Sequence, residues 1–156
     1  MPKTLIAYAT KGGVAEEIAT IVAEVLRDTF KHDVDLVDLR HHKRNIDVSA
    51  YDNFIAGGGV RMQRVYRNLY RFLRLHDLEG KAIALFVVCN EAGNLQKLDE
   101  TRSKYVGKVQ NACPRIRVIC PEVFGGRMRM FGKVVDVRDM ERVREWANGL
   151  PGMLPA

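Results

Sequence analysis

The chain has 156 residues, 47% of them hydrophobic and 28% charged, a composition typical of one soluble globular domain. This composition excludes intrinsic disorder and coiled coils, and no apolar run approaches the ~20 residues that a membrane span requires. The net charge of +6 favours an anionic partner, which includes a phosphate-bearing cofactor, an acidic protein, nucleic acid or an anionic membrane surface.

Short apolar runs alternate with longer amphipathic segments along the whole chain. The run 82–88 is continuously apolar, as expected of a central parallel strand that is buried on both faces. Apolar residues recur at helical spacing between the runs. The predicted strands are 5–8, 34–39, 53–56, 81–88 and 115–123, and the predicted helices are 14–30, 63–75, 95–112 and 138–148.

This alternation predicts an α/β fold, a doubly wound five-stranded parallel sheet with helices on both faces. Residues 1–150 form the single predicted domain, and 151–156 are a C-terminal tail that is expected to fray. Residues 124–136 are rich in Gly, Met and Arg and are predicted to form a long loop.

Two further features bear on location and on metal binding. The three cysteines include no C-x-x-C pair, and the first residues carry no apolar signal core, so the sequence predicts a cytoplasmic protein. His41 and His42 lie in the basic run 40–44, which favours a solvated loop, and no metal site is predicted.

Glycine-bearing loops follow four of the predicted strands. Ligands of open α/β sheets bind beyond the carboxyl ends of the strands, which here are followed by the loops 9–15, 57–62, 89–94 and 124–133. In the first loop, Gly12 and Gly13 open a helix, so backbone N–H groups there can form an anion cradle. The alternative interpretation is a tight strand-to-helix turn that is capped by Thr10.

The motifs of three common phosphate-dependent classes are absent from these loops. The sequence contains neither G-x-x-x-x-G-K-[ST] nor G-x-G-x-x-G, which excludes a P-loop and a dinucleotide fingerprint. A phosphorylated receiver domain requires carboxylates at the ends of its first and third strands, and none is present here.

Three segments of the chain resemble flavodoxins. Residues 8–19 resemble the flavodoxin phosphate loop and first helix, and residues 35–39 and 51–59 resemble the second and third strands. The similarity extends over about Lys3 to Trp146. It implies a sheet of strand order 2-1-3-4-5, non-covalently bound FMN and electron transfer.

The resemblance also implies the residues that hold the cofactor. The phosphate would be bound by Thr10, Lys11, Gly12, Gly13, Val14 and Ala15. The ring would be bracketed by Gly58, Gly59, Val60, Arg61 and Met62 on one side and by Cys89, Asn90, Glu91, Ala92 and Gly93 on the other. A carbonyl of Gly58 or Gly59 is the expected partner of flavin N5–H, because glycine peptides rotate freely.

This chain departs from the flavodoxin pattern at two places. Ala15 stands where a threonine is expected, which removes one hydroxyl donor, and the charge of Lys11 compensates. The usual flanking aromatics are absent from the two ring loops. The flavin ring is therefore expected to stack on Val60 and Met62, on backbone, or on an aromatic such as Tyr66, Phe124 or Phe131.

Loop segments 60–66, 86–90 and 124–131 are similar to the branch of flavodoxin-like proteins that includes the bacterial protoporphyrinogen oxidase. This similarity implies the first alternative function, a flavoenzyme that oxidises a porphyrinogen with a quinone or a protein as acceptor. The second alternative is a cofactor-free binding module on the same fold, and the missing threonine and aromatics favour it.

The positive charge predicts two further properties. A cationic site stabilises the reduced, anionic flavin, so we expect a reduction potential less negative than that of an acidic flavodoxin. Arginines of the predicted helix 63–75 share one face, which is either a solvated surface or a docking stripe for an acidic redox partner or an anionic lipid surface at the inner membrane. The stripe comprises Arg61, Arg64, Arg67, Arg71 and Arg74.

Three other predictions concern side chains near these loops. Met128, Met130 and Phe131 belong either to the core or to an adaptable contact surface. Cys89 is expected to be an inert buried thiol, with a redox role as the alternative. No nucleic-acid partner is predicted, because the basic residues form no recognisable RNA-binding motif.

Overall fold

Strands and helices alternate through residues 1–41 and 46–156, the part of the chain that the computed structural model describes. The strands in these ranges are β1 (Lys3–Ala9), β2 (Asp33–Asp38), β3 (Asn53–Arg61), β4 (Arg64–Val65), β5 (Ala82–Val88), β6 (Arg117–Phe124), β7 (Arg127–Met130) and β8 (Lys133–Asp136). The helices are α1 (Val14–Asp28), α2 (Arg67–Leu73), α3 (Leu98–Ala112) and α4 (Met140–Gly149).

The central sheet has five parallel strands in the order β2-β1-β3-β5-β6. When the short strand β4 is left out of the numbering, this is the predicted order 2-1-3-4-5, so the fold prediction is confirmed. The register pairs Ala9 with Gly58, Gly59 with Val88, and Val88 with Phe124. The carboxyl ends of β1, β3, β5 and β6 therefore meet at one edge.

Each face of the sheet buries its own apolar layer. Alternation along β1 sends Leu5 and Ala7 to the face covered by α2 and α3, and Ile6 to the face covered by α1 and α4. All three side chains have no exposed surface. Burying a Leu or Ile side chain contributes about 1.5–3 kcal/mol to the free energy of folding. The two apolar layers therefore stabilise the sheet that positions the site.

The predicted helix 63–75 is shorter in the structure, and its first residues form a hairpin. Met62 and Gln63 have φ values of 51° and 64°, which is the backbone of a two-residue turn between β3 and β4. The helix α2 begins only at Arg67. The sequence missed this turn because Met-Gln lacks the Asn-Gly or Gly signature of such hairpins. Arg64 consequently lies on β4 and not on the helix.

The predicted long loop 124–136 is instead a second hairpin, formed by β7 and β8. Phe131 and Gly132 form its turn, with φ values of 50° and 75°. Both strands are exposed along their whole length. Met128 and Met130 are therefore surface side chains and not core.

The tail, which was predicted to fray, packs against the sheet. Leu154 is buried, and the Ala156 N–H donates to Asn53 Oδ1 over 3.0 Å. Asn53 Nδ2 in turn donates to Thr4 Oγ1 over 3.2 Å. These contacts hold the last residues at the amino end of β3.

Two other observations concern sequence predictions. The predicted basic loop 40–44 lies mostly outside the described residues. Arg40, which is described, forms an ion pair of 2.9 Å with Asp38. None of the helices in the described ranges is long and apolar enough to cross a membrane.

Candidate functional site

A cleft of about 570 Å³ lies where the carboxyl ends of β1, β3 and β5 meet the start of α1. The hairpin β7–β8 closes its remaining side. This volume lies within the range of small-molecule and cofactor sites in proteins. The cleft is thus at the edge of the sheet where the sequence predicted a ligand.

The loop between β1 and α1 has the geometry of an anion cradle. Gly13 has a φ of 88°, a conformation that glycine adopts without strain, and its N–H donates to Thr10 Oγ1 over 2.9 Å. The Thr10 capping interaction that was the alternative interpretation is therefore present. It is compatible with a cradle, because the first N–H groups of α1 have no partner inside the helix and the Thr10 hydroxyl can still donate.

Lys11 and Tyr66 face each other at the mouth of this loop. The Lys11 ammonium lies over the Tyr66 ring at 5.1 Å from its centroid, a cation–π contact. Tyr66 is half-buried, and burial raises the pKa of its phenol. The cleft thus contains one of the aromatic rings that the sequence put forward for stacking, next to the cation of the phosphate loop.

The expected contact between flavin N5–H and a Gly58 or Gly59 carbonyl stays a prediction, and the structure places both glycines where rotation of the peptide has a cost. Both glycines lie within β3, where they pair with Val87 and Val88 of β5. The Gly59 carbonyl also accepts the Tyr66 N–H over 3.1 Å. Rotating either peptide would break these ladder bonds, each worth about 1 kcal/mol.

The loop after β5 forms the second wall. Burial raises the pKa of the Cys89 thiol to about 11, so the thiol stays protonated near neutral pH, as expected of an inert cysteine. The buried Tyr105 hydroxyl donates to Glu91 Oε1, and Lys104 Nζ donates to Glu91 Oε2 over 2.9 Å. These two donors lower the pKa of the Glu91 carboxyl, which therefore stays ionised.

Two lysines of α3 connect the walls. Lys104 Nζ lies 3.2 Å from Gln63 Oε1 as well as contacting Glu91. Lys108 Nζ donates to the Gln63 carbonyl over 2.7 Å. The turn at Met62 and Gln63 is therefore tied to the helix behind it, which fixes the position of this wall.

The third wall is the base of the hairpin β7–β8. Gly125 packs so closely that a Cβ atom there would lie 2.0 Å from the Val137 carbonyl oxygen, and the Val137 N–H donates to the Gly126 carbonyl over 2.9 Å. This close approach places Arg127 and Arg129 at the cleft. The sequence indicated this segment only by its Gly, Met and Arg content.

Positive charge dominates the lining. Among the described residues that line the cleft, Lys11, Arg61, Arg127 and Arg129 are cationic, and Glu91 is the one carboxylate. Glu91 is already paired with Lys104. The cleft is therefore suited to an anionic ligand.

Most of the residues predicted to bind the cofactor line this cleft together. They are Thr10, Lys11, Gly12, Val14, Ala15, Gly59, Val60, Arg61, Met62, Cys89, Asn90 and Glu91. Four predicted residues lie beside it. Gly13 shapes the loop, Gly58 packs on Leu69, Ala92 is buried in the core and Gly93 packs on Val137.

The structure adds residues that were not among the predicted cofactor set. They are Gln63, Tyr66, Val88, Gly126, Arg127, Met128 and Arg129. Tyr66 and the two arginines carried a sequence signal, but the contribution of Gln63 depends on a turn that the sequence does not reveal. No group of His, Cys, Asp or Glu side chains in the described ranges is arranged to hold a metal ion.

Comparison with known proteins identifies the family. A family model described as a flavodoxin domain matches residues 5–144. The chain belongs to the flavodoxin family. Membership confirms the predicted family and FMN as the predicted cofactor of this flavodoxin. Comparison of the sequence with curated proteins gives no significant match.

Solved flavodoxins share the fold at low sequence identity. A short-chain flavodoxin associated with a non-canonical PDU bacterial microcompartment is 18% identical, with a TM-score of 0.66 over 98% of this chain and 99% of that chain. Flavodoxin 2 from Bacillus cereus is 24% identical, with a TM-score of 0.62 over 94% and 93%. The flavodoxin of Streptococcus pneumoniae TIGR4 is 19% identical, with a TM-score of 0.61 over 97% and 99%.

Proposed function

We propose that this flavodoxin binds FMN non-covalently in the cleft and transfers electrons to or from a partner. The observation that carries the proposal is the cradle of α1 amides beside Lys11, which opens into a cleft lined by four cations. An anionic flavin phosphate matches this charge and these donors. When bound, FMN would supply the redox chemistry.

Different residues would bind the phosphate and the ring of FMN. Thr10, Lys11 and the amides that open α1 would hold the phosphate, each charge-assisted hydrogen bond contributing about 1.5–3 kcal/mol. The walls after β3 and β5 would bracket the ring, and Tyr66 is the half-buried aromatic side chain of the lining. Lys104 and Lys108 act indirectly, because they position Gln63 and Glu91.

The cations of the lining also support a raised reduction potential. Reduction adds negative charge to a flavin, and neighbouring cations stabilise that charge. An exposed cation contributes up to about 1 kcal/mol, which corresponds to about 40 mV for one electron. The exposed cations expected to raise the reduction potential are Arg61, Arg127 and Arg129.

Potentiometric titration of the FMN-loaded protein tests this proposal. FMN should remain bound after desalting, and the midpoint should lie above that of acidic flavodoxins. Arg61→Gln and Arg127→Gln should each lower it by about 20–40 mV. The control is Arg117→Gln, an exposed residue at the opposite end of the sheet, which should leave the midpoint unchanged. Loss of FMN on desalting would favour the cofactor-free module, and an unshifted midpoint would contradict the electrostatic argument.

A protoporphyrinogen-oxidase-like activity is the second candidate. The exposed apolar side chains of the hairpin β7–β8 beside the cleft favour it, because a flat apolar substrate requires such a contact surface. The test is oxidation of protoporphyrinogen by the FMN-loaded protein with a quinone as electron acceptor. Multiple turnovers would support the enzyme, and removal of no more than two electrons per bound FMN would support a carrier.

A further inference from the structure

Two exposed apolar side chains stand at the tips of the two hairpins that flank the cleft. Met62, at the turn between β3 and β4, is 88% exposed, and Phe131, at the turn between β7 and β8, is 96% exposed. Both have the left-handed backbone, with φ values of 51° and 50°. Turns of this kind favour Asn, Asp or Gly, so large apolar residues at both tips are not explained by turn formation.

Cations stand directly behind each tip. Arg61 and Arg64 are cross-strand partners beside the Met62 turn, and like charges that face each other across two strands are destabilising unless an anion lies between them. Arg129 and Lys133 also flank the Phe131 turn, although they are not cross-strand partners, since Arg129 pairs with Val134 and Lys133 with Met130. In the part of the chain that the structure describes, none of these four side chains takes part in an ion pair.

The apolar tip of the second hairpin extends beyond Phe131. Met130 is 45% exposed and Val134 is 57% exposed. The hairpin's one acid, Asp136, lies at its base and is paired with Arg138 over 2.6 Å. The end of the hairpin therefore carries exposed apolar side chains at its tip and cationic side chains behind them.

We propose that these two hairpin tips dock the protein on an anionic membrane surface. Interfacial segments bury apolar side chains ~5–10 Å deep at the headgroup boundary, and Lys and Arg behind them bind anionic headgroups. Two narrow tips suit this insertion better than they suit a protein partner, which requires a complementary surface of about 800 Å² on each side. The surface consists of Met62, Phe131 and the cations Arg61, Arg64, Arg129 and Lys133.

Docking in this way would place the mouth of the cleft at the lipid surface. Arg61, Met62 and Arg129 belong both to the docking surface and to the cleft lining. A partner that dissolves in the membrane could then reach the cleft without crossing water. The docking itself does not depend on the proposed cofactor.

Co-sedimentation of the full chain with vesicles tests the proposal. Binding is expected to vesicles of phosphatidylcholine with phosphatidylglycerol and to be absent with phosphatidylcholine alone. Phe131→Ser should weaken binding about tenfold or more. Arg129→Gln combined with Lys133→Gln should weaken it about fivefold per charge. All three side chains are exposed, so the variants should fold.

Matched controls lie at the opposite edge of the sheet. Met153 is 66% exposed and lies near the tail that contacts Asn53, so Met153→Ser should leave vesicle binding unchanged. Lys81→Gln combined with Arg117→Gln removes the same charge at the amino ends of β5 and β6 and should also have little effect. Equal losses in the controls would mean that net charge alone drives binding and would overturn the proposal.

Tryptophan fluorescence distinguishes insertion of the hairpin tip into the bilayer from binding at its surface. The sequence has one tryptophan, Trp146, so Phe131→Trp adds a second emitter. Compared with the original protein, its emission should shift to the blue with anionic vesicles. The same reporter in Met153→Trp should not shift. Binding to soluble polyglutamate in the absence of any vesicle binding would assign the surface to an acidic protein and overturn the membrane proposal.

Discussion

At the scale of single residues, His32 is the clearest case of a side chain whose charge the fold controls. His32 is buried, and its Nδ1 lies 3.0 Å from Thr4 Oγ1. Asn53 Nδ2 donates to the same Thr4 oxygen, so the Thr4 hydroxyl links the Asn53 and His32 side chains. Burial and the positive N-terminus lower the pKa of His32, so the native imidazole is neutral.

Stability should therefore fall with acidification in a defined window. The unfolded chain takes up a proton near pH 6.5, above the lowered pKa of native His32, so acidification stabilises the unfolded state first. The stability contribution of His32 is complete above this pH and is lost as the pH falls towards the native pKa. Urea unfolding from about pH 7.5 to about pH 5 measures this slope.

The His32→Gln variant should show a smaller loss of stability over the same range. His41, which is exposed, provides the control, and His41→Gln should retain the slope of the original protein. An unchanged slope in His32→Gln would assign the acid sensitivity to other groups.

At the scale of elements, the hairpin β7–β8 depends on a close backbone approach at its base. The Gly125 Cα faces the Val137 carbonyl with no room for a methyl group. Gly107, in the middle of α3, has open space where a methyl group would point, with no neighbouring side chain within 4 Å. The same substitution should therefore have opposite effects at the two glycines.

Gly125→Ala should destabilise the protein by about 1–3 kcal/mol, because the backbone of the hairpin must move. It should also weaken FMN binding, since Arg127 and Arg129 would shift with the hairpin. Gly107→Ala should stabilise the protein by about 0.5–1 kcal/mol, because alanine favours the helix. Urea unfolding of both variants measures these effects, and a neutral Gly125→Ala would show that the hairpin is not anchored there.

At the scale of the whole molecule, the sequence predicts the sheet and its binding edge but not the hairpins. The apolar runs and helical periods are local signals, and they specify the strands whose ends form the cleft. The Met62 turn carries no Asn-Gly signature, so α2 was predicted to begin too early. The bonds from Lys104 and Lys108 to Gln63 join residues far apart in sequence, and no local pattern reports them.

The docked tail was missed for a related reason. Its contacts use the Asn53 side chain and the backbone of Ala156, 103 positions further along the chain. Glycine and proline in 151–156 favour disorder when they are considered locally. Tertiary contacts, including the burial of Leu154, order this segment together with a local 3-10 turn at Leu150–Gly152.

The claim on which the functional account depends is that the cradle at the start of α1 binds a flavin phosphate. Titration with FMN and with riboflavin, followed by quenching of flavin fluorescence, tests it directly, since the two ligands differ only in that phosphate. FMN should bind at least about 100-fold more tightly than riboflavin, the lower bound for two charge-assisted hydrogen bonds. Lys11→Gln should reduce this ratio, and Lys31→Gln should not. Equal affinity for the two ligands would contradict the account.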